Sequence, residues 1–434
     1  MKNAIGVHER PPTLQSIMLS LQHLFAMFGS TVLVPNLLGV DPAICLLMNG
    51  IGTLLYLWIC KGKIPAYLGS SFAFLAPAGA VIGDQAAGGG SYAAALGGFI
   101  IAGLIFTIVA FIIHAAGTGW INIVFPPAAL GAIVAIIGLE LIPVAAQMSG
   151  WIIKPGQNPA TWSPDPSIVA LSTITLAVTV LGSVLFRGFM RIIPILFGIV
   201  TGYVIAYFMD FTDFSAVAEN GWVQSPHFTF PAFQWTAIIA IAPAALVVIA
   251  EHIGHLVVTG NIVDKDLSKD PGLHRSMLGN GISTVLSGFV GSTPNTTYGE
   301  NIGVLAITKV YSTFVIGGAA VIAIVLSFSG KFSALISSIP EPVMGGVSLL
   351  LFGVIAASGL RMLVESKVDY SKPTNLFLTT VVLVTGLSGV KLTIGDFSLS
   401  GMALATVVAI MLSLLFKLFE VLKLSNDHEG SGLK

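Results

Sequence analysis

Long apolar runs alternate with short polar breaks from one end of the chain to the other. A membrane-spanning helix needs about 20 mainly apolar residues. Runs of that kind fall near 14–37, 42–60, 65–82, 91–115, 124–147, 167–186 and 191–209. A second set falls near 236–261, 273–291, 296–309, 310–330, 340–360, 374–392 and 398–422. The pattern predicts an all-α polytopic membrane protein with fourteen transmembrane segments. The longest polar stretches, about 148–166 and 210–235, hold Trp, Pro and Asp and read as surface loops. Neither is long enough to be a soluble domain.

The two sets of seven resemble each other in order. Asn49-Gly50-Ile51-Gly52-Thr53-Leu54-Leu55 matches Asn280-Gly281-Ile282-Ser283-Thr284-Val285-Leu286. Gln22-His23 in the first run matches Glu251-His252 in the eighth, and Pro126 and Gly131 match Pro340 and Gly345. Seven is odd, so the second copy starts on the opposite side of the membrane and the repeats are inverted. Transporters built this way place substrate near the midplane, between the repeats. The third and tenth runs are expected to be broken. Each joins a polar, extended stretch to a short helix: Ile64 to Ser71 before Phe72, and Ser292 to Gly299 before Glu300. Irregular backbone at membrane depth survives only where protein or a cavity covers it. Paired broken segments therefore point to the site, with the positive ends of two half-helices aimed at its centre.

Composition agrees with this picture. Hydrophobic residues make up 55% of the chain and charged residues 9%, with a mean hydropathy of +0.92. Soluble domains carry about 25% charged residues, so the bilayer is the main solvent. A net charge of −1 argues against a nucleic-acid partner. Cys45 and Cys60 lie in apolar runs and read as inert buried thiols rather than a disulfide. The polar start, MKNAIGVHERPP, is expected not to be a cleavable signal. With the N-terminus inside, only Lys154, Lys331 and Lys391 of the 19 basic residues fall outside. That bias places both termini in the cytoplasm.

Ionisable groups inside spans are costly and usually functional. Glu251 follows the apolar run Ala244 to Ala250, and His255 lies one helical turn on, on the same face. Glu300 starts the tenth half-helix, and these three would converge at one cavity. A structural hydrogen bond between helices is the rival reading of Glu251, and the favoured one for Glu140 and His252. His23, in the first run, stands open between the two readings. Burial disfavours a charged carboxylate, and a neighbouring imidazole can share its proton, so the group titrates as a unit. Proton loading then becomes linked to substrate loading. A planar amide-like ring would donate to the carboxylates and accept from backbone N–H groups at 72 and 299–300, where Gly299 allows close approach. Glu251, His252 and His255 could in principle hold a metal, but no matching partners stand elsewhere, and no metal or cofactor is expected. The chain carries no phosphate-cradling loop or nucleophile elbow, so an enzyme is not expected.

The stretch Glu300-Asn301-Ile302-Gly303-Val304-Leu305-Ala306-Ile307-Thr308-Lys309 resembles the signature of the nucleobase–cation symporter/nucleobase–ascorbate transporter family. So does Gln22-His23, and so do LSLQHLFAMFG, KGKIPAYLGSSFAF, APAALVVIAEHIGHLVV, KDPGLHRSM and GSTPNTTYGENIGV. The resemblance covers about residues 4–423. It implies proton-coupled uptake of a nucleobase, with uracil foremost and xanthine, uric acid or thymine as alternatives, across a bacterial cytoplasmic membrane. It implies a core domain over 14–115 and 236–330 and a gate domain over 116–235 and 331–423. Residues 1–13 and 424–434 would be cytoplasmic. Glu251 and Glu300 would bind the base by side chain, Phe72 and Gly299 by backbone, with Ser71 and Tyr298 close by. Glu251 and His255 would handle the proton, and homodimers would form through gate domains. Phe352 stands where Tyr is expected and Ser30 where a small apolar residue is expected. Both are read as bordering the site, and they bear on base preference. An anion carrier or channel of the same seven-plus-seven fold is the more distant rival, disfavoured because two glutamates repel anions.

Overall fold

The computed structural model describes residues 4–83, 91–394 and 397–425. Lys2, Lys434 and most of the expected tail over 424–434 lie outside the described residues. Helix covers part of every one of the fourteen apolar runs. In chain order the first half comprises α1 (Thr13–Ala26), α2 (Phe28–Leu38), α3 (Pro42–Ile59), β1 (Leu68–Ser70) and α4 (Leu75–Gly83). It continues with α5 (Tyr92–Ala116), the single turn α6 (Ile121–Val124), α7 (Pro127–Met148), α8 (Pro166–Leu185) and α9 (Pro194–Phe208). The short helix α10 (Ser215–Glu219) lies in the loop that follows. The second half comprises α11 (Trp235–Ile241), α12 (Ala244–Val263), α13 (Leu273–Val290), β2 (Asn295–Thr297), α14 (Gly299–Thr308) and α15 (Thr313–Ser327). It ends with α16 (Gly330–Ser337), α17 (Glu341–Glu365), α18 (Pro373–Leu387), β3 (Lys391–Ile394), β4 (Phe397–Ser400) and α19 (Gly401–Val421).

Several helices start where short-range chemistry dictates. Asp41 and Asp165 accept from backbone N–H groups at the starts of α3 and α8, and a proline occupies the first helical position of each. Ser91 and Ser312 cap α5 and α15 in the same way.

The runs differ from single straight spans in four places. The first is broken at Met27, before Phe28-Gly29-Ser30-Thr31, a sequence poor in helix formers. The eighth is broken at Ala242-Pro243, because proline lacks the N–H that would continue the ladder. The eleventh turns by 90° between α15 and α16. The thirteenth ends at Leu387 rather than 392, since Gly389 takes a φ of +73° and the chain then forms the β3–β4 hairpin. Among the described residues, eight helical stretches are long and apolar enough to cross a membrane, or nine if α15 and α16 count as one. α4, α9 and α18 are apolar but shorter. α13 is less apolar because its Ser276, Asn280, Ser283, Thr284 and Ser287 face the protein interior.

α7 packs lengthwise on α17, joined by α8, α18 and α19. α5 lies along α13, and α3 lies against α15 and α13, with α1 on α15. α12 touches members of both groups. The backbones of α7 and α17 touch at Gly138 and Gly359, the small-residue contact expected between helices in lipid. Outward positions are apolar: Trp58, Val184, Phe208 and Val364 are each 75–78% exposed, as a lipid-facing surface requires.

Two polar attachments were not legible from the runs. The N-terminal stretch is tied to the α14–α15 connection, with Ile5 N–H donating to Lys309 O at 2.9 Å and Tyr311 N–H to Ile5 O at 2.8 Å. Glu140 Oε2 accepts from Met402 N–H at 2.7 Å and so caps α19, which matches the structural reading of this residue. Glu140→Ala is expected to lower stability by about 1 kcal/mol, the usual value of such a cap, and to leave uptake intact. A thermal melt beside an uptake assay checks this. An unchanged melt, or lost uptake at full stability, would contradict it.

Candidate functional site

The site is built on two strands far apart in sequence. β1 pairs antiparallel with β2 in the register Leu68↔Thr297, Gly69↔Thr296 and Ser70↔Asn295. Ser71 N–H donates to Pro294 O at 3.0 Å and Tyr298 N–H to Tyr67 O at 3.1 Å, which extends the pairing by one residue at each end. The repeated motif secures one backbone group of each strand. Thr53, from the first copy, accepts from Leu68 N–H at 2.9 Å. Its counterpart Thr284 donates to Asn295 O at 3.0 Å. Asn295 Nδ2 donates to Met48 O at 2.7 Å. Backbone that would be intolerable in lipid is thus satisfied by side chains of α3 and α13.

Each strand leads into a helix start. One is the 3-10 turn Phe72–Phe74 that opens α4, and the other is the first turn of α14. Neither start has a side-chain cap, so their first N–H groups and positive dipole ends are available to a ligand. Gly69 is required at the strand crossing, because a Cβ there would lie inside the Tyr298 ring.

α12 packs against both helix starts. Glu251 and His255 lie one turn apart on it and are half-buried, as are Gly299 and Glu300, while their neighbours are closed off. A Cβ on Gly299 would sit 3.2 Å from His255 Nε2, so glycine lets the imidazole meet the α14 backbone. Glu300 lies within electrostatic reach of Glu251, and its Oε1 has no hydrogen-bond partner. Phe72 meets Phe352 of α17 edge to face at 5.6 Å, and Phe352 is fully buried. Two carboxylates, an imidazole, an aromatic ring and two uncapped helix starts therefore surround one spot. Such a set can accept N–H bonds from a planar ring and donate to its carbonyl oxygens.

The other expected residues take specific places. Ser71 is buried with its hydroxyl unpartnered. Tyr298 is buried and donates its hydroxyl to Ser70 O at 2.9 Å, so it braces the strands. Ser30 donates back to Met27 O at 3.2 Å, beside the Tyr298 hydroxyl. His23 is buried, with Nδ1 at 2.9 Å from Asn301 Oδ1 and with Nε2 unpartnered. His252 turns away from Glu251 toward α13. Sequence reasoning missed Thr297, whose hydroxyl lies 3.2 Å from His255 Nδ1. It stands three positions before Glu300 inside the quoted stretch, and that nearness was the available signal.

A bundle of apolar helices, with two half-helix starts meeting half-buried carboxylates at its centre, defines a multi-pass membrane transporter. The family model described as "Permease family" matches residues 14–395. The chain belongs to this permease family, in keeping with its nucleobase-transporter signature. It is 64% identical over 423 residues to a protein named uracil permease from Paenibacillus larvae, covering 98% of this chain and 99% of that one. It is 62% identical over 422 residues to a uracil permease of Escherichia coli K12, covering 97% and 96%. The fold is shared with the transmembrane domain of a cyanobacterial bicarbonate transporter, at a TM-score of 0.61 and 14% identity, covering 95% of this chain and 98% of that one. It is also shared with a murine Solute Carrier 26 anion transporter in the inward-facing state, at a TM-score of 0.69 and 11% identity, covering 95% and 69%.

Proposed function

We propose that the chain takes up uracil across a bacterial cytoplasmic membrane together with protons. The observation that carries this reading is the meeting of Glu251, Glu300 and His255 at two uncapped helix starts. Relatives named uracil permease at 62% and 64% identity supply the substrate. Uracil has two ring N–H groups and two carbonyl oxygens. Glu251 and Glu300 would accept from the former. Backbone N–H groups at Phe72 and Gly299 would donate to the latter, with the Phe72 ring bounding the pocket and Ser71 and Tyr298 shaping its wall. His255, against Gly299, would share the coupling proton with Glu251. Phe352, Ser30 and His23 would border the site.

In this reading fourteen segments form two inverted repeats. A core domain (14–115 and 236–330) moves against a gate domain (116–235 and 331–423), exposing the site to one side at a time. Both termini would be cytoplasmic, and two copies would pair through their gate domains. The anion transporters of like fold offer no rival substrate here, because two glutamates at the centre repel an anion. Labelled uracil uptake in the presence of unlabelled bases tests the substrate. Uracil is expected to compete most strongly. Stronger competition by xanthine, uric acid or thymine would move the assignment to that base within the same machinery.

A further inference from the structure

His252 is buried one residue from Glu251, yet it serves neither glutamate. Both of its ring nitrogens are engaged elsewhere. Nδ1 lies 2.8 Å from Asn280 Nδ2 and 3.1 Å from Thr297 Oγ1, and Nε2 lies 2.8 Å from Ser276 Oγ. An amide nitrogen can only donate. Nδ1 therefore holds the lone pair, and Nε2 carries the proton and donates it to Ser276. Thr297 Oγ1 is also 3.2 Å from His255 Nδ1. Beyond Ser276, Tyr56 OH lies 2.6 Å from Ser276 Oγ, with the Cys60 thiol beside it.

Five side chains thus form one continuous hydrogen-bonded chain, His255, Thr297, His252, Ser276 and Tyr56, with Cys60 beside its far end. His255 stands at its site end, with Nε2 toward Gly299 and Nδ1 toward Thr297. The far end has a definite position in the fold. Ser276 lies in the first turn of α13, Tyr56 in the last turn of α3, and Cys60 immediately after it. Half-buried Arg275 stands beside Cys60 and donates to Ile59 O at 3.1 Å, next to the exposed Lys61. By the distribution of basic residues these are the cytoplasmic ends of both helices. Every member beyond His255 is closed off, and so is Cys60: Thr297 is 5% exposed, His252 1%, and Ser276, Tyr56 and Cys60 0%. A buried polar row of this length is expensive in a membrane core and is characteristic of proton relays.

We propose that this row is the path by which the coupling proton leaves the site for the cytoplasm. The proposal rests on the symport reading above. His255 takes a proton on Nε2 from the Glu251–Glu300 side and gives up the one on Nδ1 to Thr297. The Thr297 hydroxyl proton passes to His252 Nδ1, and the His252 Nε2 proton passes to Ser276. The Ser276 hydroxyl proton passes to Tyr56, and the Tyr56 proton leaves past buried Cys60 to water beside half-buried Arg275. Each side chain gains one proton and loses one, and one proton is delivered in sum; the two imidazoles end as the opposite tautomers and return by turning over their rings before the next cycle. Asn280 Oδ1 has no partner, so its amide can rotate to accept from the new Nδ1–H. The ionisable groups facing the row are Glu251 and Glu300 at the site and Arg275 at the exit.

The test compares net uptake with exchange in proteoliposomes. Uracil–uracil exchange needs no proton release, whereas uptake driven by a pH gradient does. Ser276→Ala and Tyr56→Phe are each expected to lower gradient-driven uptake by about tenfold or more, with exchange kept within about twofold. Ser276→Thr, which restores a hydroxyl, is expected to recover uptake. If Ser276→Ala folds poorly, Tyr56→Phe carries the test, since it removes one oxygen and keeps the ring. Gradient-driven uptake unchanged in both variants overturns the relay. Exchange that falls in step with uptake also overturns it, because the groups then only hold structure. Failure of the symport reading is separately visible, as a wild-type protein whose uptake ignores the gradient.

Discussion

Glu251→Ala and Glu300→Ala are each expected to abolish saturable uracil uptake while the protein stays folded. A hydrogen bond to a charged group contributes about 1.5–3 kcal/mol. A carboxylate that loses its bond to a ring N–H also leaves that N–H desolvated and unpaired. The combined loss is about 3 kcal/mol or more, over a hundredfold in affinity. Stability is expected to hold or rise, because Glu300 Oε1 has no partner among the described residues and the two acids stand close together. That split separates a binding role from a structural one. Thermal melts with and without uracil, beside uptake, provide the check: the uracil-induced shift should vanish while the base-free melt does not fall. Uptake at wild-type level in Glu251→Ala would sink the site assignment.

Gly69→Ala is expected to be as damaging as either glutamate variant, through a different route. A Cβ at Gly69 would occupy the place of the Tyr298 ring. The ring has no easy retreat, since its hydroxyl donates to Ser70 O and its backbone N–H to Tyr67 O. Moving it separates β1 from β2 and displaces Gly299 and Glu300, which follow directly. Overpacking costs about 1–3 kcal/mol and occasionally more, and this clash with a held ring belongs at the upper end, so uptake should be lost with it. Gly79→Ala is the control, because nothing among the described residues lies within 4 Å of a Cβ there. It should be neutral or mildly stabilising, as alanine in a helix usually is. A Gly69→Ala protein that melts and transports like the wild type would contradict the crossing-strand account.

The sequence revealed most clearly whatever depends on length and apolarity. Each apolar run holds helix, because a long apolar run in lipid has few other ways to satisfy its backbone. Helix breaks were less visible. Pro243 announces one by its chemistry, but Met27 does not, and only packing decides it. The pairing of β1 with β2 joins residues more than two hundred positions apart, and no local pattern encodes such a contact. The repeated Asn-Gly-Ile motif was visible as a repeat, yet its purpose was not. The structure shows Thr53 and Thr284 each securing one strand. Glu251 and Glu300 stood out because charge inside a span is rare. Thr297, Ser276 and Tyr56 did not, because uncharged hydroxyls are common in spans and Ser or Thr often bond nearby backbone, so they attract no notice.

The central claim is tested most directly by labelled uracil uptake into proteoliposomes, with and without an imposed pH gradient. Saturable uptake that accumulates uracil above equilibrium when the outside is acidic, and collapses when a protonophore is added, is the result expected of a uracil–proton symporter with its site at Glu251, Glu300 and His255. Uptake that only equilibrates, with the same rate and extent whatever the gradient, would contradict it.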